Sequence, residues 1–217
     1  LEKEYFTVYD EAQGEFIERK SRFIGYIKPI TSEAEAVSFI NSLKSRNWDA
    51  THNCYAYYLK NNNTEIQRYS DDGEPQGTAG LPILEVIKKQ GLQDVVIVVT
   101  RYFGGILLGA SGLIRAYGNG AVVAIEAAGK IHKILSRQVA VTVDYTDFGR
   151  VQNTLLAHSY IIEEVVYTQD VEVRVLVPLD GVLKLSELMT ETTNGGCLIE
   201  ERDEKYMVLD TNGKLIK

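Results

Sequence analysis

The hydrophobic pattern is most compressed at positions 95–100, where VVIVVT has no polar interruption longer than the terminal Thr. A run this short and this apolar predicts a strand covered on both faces and central in its sheet. Around it the period changes from element to element. Bulky apolar residues at Phe16, Phe23, Ile24, Tyr26 and Ile27 predict two strands, 15–19 and 22–29, joined as an edge hairpin by a tight polar turn at Lys20-Ser21. A helical stripe follows at Val37, Phe39, Ile40 and Leu43. Ser32 and Glu35 stand at capping-box spacing before it, and Asn47 marks its end. Strands are expected at 51–60 and 64–69, with a turn at Asn61, Asn62 and Asn63. Pro82 suits the first turn of a short helix whose buried face is Ile83, Val86 and Ile87. A second helical pattern, rich in small residues, covers 110–128 and stops at Gly129. Gly118 and Gly120 inside it each cost about 1 kcal/mol against Ala, which predicts close approach of another backbone or a bound group.

Past residue 135 the pattern changes. Strands are expected at 138–145, 160–167, 171–177 and 197–209, and helices at 147–158 and 180–192. Val171, Val173, Val175 and Val177 alternate with Glu172 and Arg174, the mark of a strand with one buried face. The order β-α-β-β-α-β in so short a stretch is the split βαβ or ferredoxin-like plan. The expectation is an α+β protein of two domains, 1–135 and 136–217.

Composition narrows the function classes. The 217 residues carry 23 Lys+Arg against 30 Asp+Glu, a formal net charge of −7. Residues 1–135 hold 15 basic and 16 acidic side chains, and 136–217 hold 8 and 14, so the second half carries −6 of the total. Neither half coats itself for phosphate, which disfavours strong non-specific DNA binding, and no specific DNA partner is expected. No apolar run reaches the roughly 18 residues of a membrane span. The opening LEKEYFTVYD reads as neither signal nor transit peptide, so a cytoplasmic protein without membrane association is expected. Cys54 and Cys197 are too far apart and too few for a disulfide framework or a zinc site.

Candidate chemistry gathers in residues 70–120. Asp71, Asp72 and Glu74 sit in an acidic glycine-rich loop. They either cap neighbouring backbone groups, contact protein or RNA, or hold a cation through oxygen. Arg101 follows the apolar strand at the end where ligand crevices open in α/β sheets. It either forks onto a ligand carboxylate or phosphate, or pins one of those three carboxylates. Residues 104–112, from Gly104 and Gly105 to Ser111, form either an anion nest before a helix or a tight turn with Ser111 as its cap. Neither a Walker A loop nor a dinucleotide fingerprint is present. His52 is either an acid-base group or a structural histidine. Tyr55, Tyr57, Tyr58, Tyr69, Tyr102, Phe103 and Tyr117 either stack bases or pack the sheet.

SDDGEPQGTAG at 70–80, VVIVVTRYFGG at 95–105 and LLGASGLIRAYG at 107–118 closely resemble the bacterial YigZ/YvyE-type members of the IMPACT family. The resemblance covers nearly the whole chain. It carries over Asp71, Asp72, Gly73, Glu74, Pro75, Gly77, Thr78, Ala79, Gly80, Arg101, Tyr102, Phe103, Gly104, Gly105, Gly109, Gly112, Arg115 and Tyr117. Leu107 stands where relatives often carry Lys, and Ser111 where they often carry Gly. The resemblance implies an N-terminal α/β sandwich like ribosomal protein S5 domain 2 and a ferredoxin-like C-terminal domain like those of elongation factor G. Eukaryotic IMPACT proteins act in translational control through an additional RWD domain, so their function does not transfer whole. Two functions are therefore expected. The first is a cytoplasmic binding protein in translation regulation, through RNA, the ribosome or a translation factor. The alternative is an enzyme acting on a phosphorylated small molecule, by fold analogy to GHMP kinases. Candidate binding residues are His52, Asp71, Asp72, Glu74, Thr78, Arg101, Tyr102, Gly104, Gly105, Ser111 and Arg115. No catalytic residue, metal site or cofactor is assigned.

Overall fold

The structure, a computed structural model, describes residues 2–61 and 64–216. Its elements run β1 (Glu4–Val8), β2 (Ala12–Glu18), β3 (Ser21–Pro29), α1 (Glu33–Arg46), β4 (His52–Asn61), β5 (Thr64–Ser70), α2 (Gly80–Lys89), β6 (Val95–Tyr102) and α3 (Ala110–Ala128). They continue with β7 (Lys130–Val143), α4 (Tyr145–Ala157), β8 (Ile161–Tyr167), β9 (Val171–Pro178), α5 (Val182–Thr193) and β10 (Leu198–Leu209). The chain divides into two compact units, Tyr5–His132 and Lys133–Lys217, the second also taking in Glu2–Glu4. The fold is mixed α+β.

In the first unit the sheet order is β2-β3-β6-β4-β5, which puts the apolar run of β6 in the middle. Val95 to Val99 are fully buried, as a strand covered on both faces requires. β3 and β4 both pair antiparallel with β6, so the α1 connection carries the chain across it. One face packs on α1 through Ile24, Tyr26, Phe39, Ile40, Leu43, Tyr57, Val96 and Val98. The other packs on α2 and α3 through Phe23, Ile27, Cys54, Ile83, Ile87, Val99, Leu113 and Tyr117. This is the expected sandwich. Ser32 caps α1 by accepting from the Glu35 N–H at 3.3 Å. The Glu35 carboxylate reaches past Ser32 to the Thr31 N–H at 2.7 Å. The hairpin turn is Arg19-Lys20 rather than Lys20-Ser21. Both residues have positive φ, 45° and 65°, the two-residue turn whose twist matches that of the strands it joins. The turn expected at Asn61, Asn62 and Asn63 lies, at 62 and 63, outside the described residues.

Glycines let α3 descend onto the sheet. A Cβ on Gly25 would sit 2.0 Å from the Gly120 carbonyl oxygen, and one on Gly14 would sit 2.7 Å from that of Val123. Gly120 in turn faces the Val99 side chain, 2.7 Å from where its own Cβ would stand. The close approach expected of Gly120 is therefore backbone packing. Gly118 meets only Val86, at 3.8 Å.

In the second unit β9 lies between β7 and β8, antiparallel to each, and β10 pairs with β7. That is the ferredoxin-like order. Val171, Val173, Val175 and Val177 are fully buried under α4 and α5, with Leu155, Leu185 and Met189. On the opposite face Arg174 bonds Glu172 at 2.6 Å and also Glu164. There Arg202 meets Glu172 at 2.7 Å and Lys205 meets Glu163 at 2.6 Å. Three strands depart from the expected bounds: β7 begins at Lys130 rather than 138, β2 begins at Ala12 rather than 15, and β1 lies where no strand is expected. Among the described residues no helix is long and apolar enough to cross a membrane.

Candidate functional site

Sheet register assembles the site. Arg101 on β6 stands opposite Phe23 on β3 and His52 on β4. Directly opposed residues share a face, so this row of three points toward α2 and α3. The acidic loop, 71–79, closes over it. Arg101 Nη1 donates to Glu74 Oε1 at 2.6 Å, and both side chains are at most 6% exposed. Tyr117, on α3, donates its hydroxyl to the same oxygen at 2.8 Å. The guanidinium lies between the Phe23 and Phe103 rings, 5.5 and 5.4 Å from their centroids, and its Nη2 reaches Ser21 Oγ at 3.4 Å. Of the two readings of Arg101, the geometry has the pinned carboxylate.

The other carboxylates turn elsewhere. Asp71 accepts from the backbone N–H groups of Gly77, Ala79 and Gly80 at 2.9, 3.0 and 2.9 Å, an anionic cap on α2. Asp72 accepts from the Asn53 N–H at 2.7 Å and from Lys44 Nζ at 2.6 Å. The three acidic side chains diverge and present no common oxygen cage. His52 Nδ1 lies 2.8 Å from the Asp72 carbonyl oxygen. A carbonyl only accepts, so Nδ1 carries the proton. That leaves Nε2 facing Glu74 Oε1 at 3.8 Å.

Cys54, beside His52 and fully buried, donates its thiol to the Asp71 carbonyl at 2.9 Å. Burial first, then the charges of Glu74, Asp72 and Asp71, push that thiol well above its ordinary pKa. It is no thiolate nucleophile at neutral pH. Burial likewise raises Tyr117, with Cys54 and Glu74 adding to it. The phenol therefore remains a donor.

The remaining candidates scatter. Thr78 is buried and bonds the Pro75 carbonyl at 2.6 Å. Tyr102 points to the α1 face, where its hydroxyl meets Asn47 Oδ1 and Asp49 Oδ1, each at 3.3 Å. Gly104 donates its N–H to Ser21 Oγ at 3.2 Å, and a Cβ there would strike the Lys20 backbone at 2.1 Å. Gly105, at φ 82°, is open to solvent. Ser111 is exposed and does not cap α3. The cap is Gly109 at φ 74°, with no side-chain bond. The expected capping role of Ser111 fails because the helix begins one residue ahead of it. Arg115 is exposed and lines a cleft of about 410 Å³ with Phe16, Glu18, Arg19, Leu108 and Asn119. Tyr55 and Tyr57 do share a face, but α1 covers it, and Tyr57 is only 4% exposed. That face is no open platform for bases.

Tyr117, Phe103, Cys54, Ser21 and Phe23 join the site from outside the candidate binding residues, although Tyr117 and Phe103 stand in the family signature and among the aromatics of the sequence. Alternation puts His52 and Cys54 on one face, but only the register of β3, β6 and β4 brings them to Arg101.

The Impact N-terminal domain matches residues 19–125, and a domain of unknown function matches 141–195. IMPACT family member YvyE of Bacillus subtilis is 43% identical over 203 residues, 94% of this chain and 93% of that one. IMPACT family member YigZ of Escherichia coli is 31% identical over 82% of this chain and 87% of its own. A crystal structure of a hypothetical protein aligns with 94% of this chain and 100% of its own, at 28% identity and a TM-score of 0.58. With its two domain matches in order and a relative aligned nearly end to end, the chain belongs to the IMPACT family.

Proposed function

We propose that the protein is a cytoplasmic binding module of translation control that works by contact rather than by catalysis. The observation that carries this reading is the internal use of the family signature's charges. Arg101 and Tyr117 both bond Glu74 in the interior, Asp71 caps α2, and Cys54 is held as a thiol. What the signature leaves at the surface is contact area: Phe103, Ile106, Leu107 and Ile114, flanked by Arg19 and Arg115. The translational setting is what the resemblance to eukaryotic IMPACT proteins implies. The enzyme alternative required a phosphate loop at 104–112, but Leu107, where relatives often carry Lys, is exposed apolar surface and brings no cation to the start of α3.

The test is sedimentation with ribosomes over a salt series. The protein is expected in the ribosomal pellet at low salt and released as salt rises, since surface charge contacts are screened. A protein that remains in the supernatant at the lowest salt overturns the reading.

A further inference from the structure

β2 is an edge strand of the first sheet, and its final residues border the cleft against α3. The register with β3 closes at Glu18↔Ser21 around the two-residue turn. In such a hairpin the closing pair is hydrogen-bonded and the bonding alternates outward from it. Glu18, Phe16 and Gly14 therefore bond β3, while Ile17, Glu15 and Gln13 present N–H and C=O at the outer edge. Ile17 is 72% exposed, a β-branched apolar residue on an uncovered edge, which is a template for strand addition.

The cleft beside this edge is lined by two arginines and one carboxylate. Its floor is Phe16, stacked on Phe23 at 5.2 Å, and Leu108. Its polar walls are Arg19, Arg115 and Asn119 with Glu18 at the rim. Arg19 is held over it by donating to the Leu107 carbonyl at 3.5 Å. The Arg19-Lys20 turn packs against Gly104, where an added Cβ would sit 2.1 Å from the Lys20 backbone. In a chain of net charge −7, the segment between Asp94 and Glu126 holds no carboxylate. An added strand about 4.8 Å from β2 would place alternate side chains on the α3 side, toward the two guanidiniums.

We propose that the groove between β2 and α3 binds an extended acidic protein segment. The segment adds to the sheet as a sixth strand, with its carboxylates on Arg19 and Arg115. This rests on the reading of the protein as a binding module and names its partner's chemistry. Backbone bonding along β2 supplies affinity and the arginines supply sign selection, the division of labour of β-augmentation. RNA fits less well, because the edge offers peptide hydrogen bonds and Glu18 borders the cleft.

The experiment titrates the protein with three labelled probes by fluorescence anisotropy. The first is a blocked peptide of alternating glutamate and valine, the second its lysine-valine counterpart, and the third an oligouridine. The acidic peptide is expected to bind and the basic one not. Ile17→Pro removes an outward N–H at an edge position that tolerates proline, and is expected to weaken binding about tenfold or more. Arg115→Glu, on the exposed face of α3, is expected to do the same and to shift preference to the lysine peptide. No binding of the acidic peptide overturns the proposal. So does equal binding by parent and both variants, or tighter binding of the oligouridine. Ribosome sedimentation separates the two readings. Co-sedimentation without peptide binding sinks only the groove, whereas peptide binding without co-sedimentation sinks only the translational role.

Discussion

Replacing Arg101 by Met removes the cation from a carboxylate that has nowhere else to go. Glu74 is 4% exposed at its side chain. After the change it keeps the Tyr117 hydroxyl at 2.8 Å and the His52 ring at 3.8 Å. Breaking a buried ion pair by deleting one partner costs about 3–5 kcal/mol. The retained Tyr117 bond puts this case at the low end, about 3 kcal/mol. Methionine keeps the apolar contact between Phe23 and Phe103, so the loss reports the charge rather than a cavity. The double variant Glu74→Leu/Arg101→Met removes both charges and leaves only the Tyr117 hydroxyl short of an acceptor. Its cost is expected near 1 kcal/mol, well below the sum of the two single changes. Native-state hydrogen exchange at Val96, Ile97 and Val98 measures opening of the first unit without interference from the second. These residues are fully buried in β6. Arg101→Met is expected to speed their exchange on the order of 100-fold. Exchange unchanged within about fivefold, or a double variant as damaging as the summed singles, refutes the latch.

Gly25→Ala drives a Cβ to 2.0 Å from the Gly120 carbonyl. It is expected to cost about 3 kcal/mol or more in thermal unfolding, whereas Gly118→Ala, with Val86 at 3.8 Å, gains up to about 1 kcal/mol of helix propensity. The opposite ranking would refute the close packing of α3. In the second unit, Arg174 first, with Arg202 beside it and burial opposing, holds the Glu172 carboxyl below its ordinary range. A depressed folded pKa stabilises above the unfolded value, about 4.3, and the gain is lost as pH falls through the folded one. Melting temperature is therefore expected to fall on acidification below about pH 4, and Glu172→Gln to flatten that fall. An identical acid profile for the variant would count against it. Burial raises the Cys54 thiol, and Cys197 is partly exposed. A thiol reagent at mildly alkaline pH should label Cys197 first, and the reverse order would contradict the buried Cys54–Asp71 bond.

Much of the architecture was legible along the chain because it depends on local periodicity. VVIVVT declared its own central place by having no polar side. The four alternating valines of β9 did the same for one face of the second sheet, and Ser32 and Gly129 bracketed helices by their own backbone chemistry. β1 was illegible because EYFTV alternates too little in five residues to stand out. The early start of β7 was hidden by its mixed burial, since KIHKILSR shows no clean period of two.

The site divides along the same line. Sequence determined that Asp71, Asp72, Glu74 and Arg101 stand near turns and strand ends, where charge is expected. It left open which carboxylate Arg101 would meet, because that choice depends on three strands in register and on a loop folding over their ends. Only the tertiary structure decided it. Glu74 reaches Arg101 because Asp71 is spent on the start of α2 and Asp72 on the β4 backbone and Lys44. A buried charge must find a partner, and the partner it finds is set by packing across the sheet rather than by neighbours in the chain.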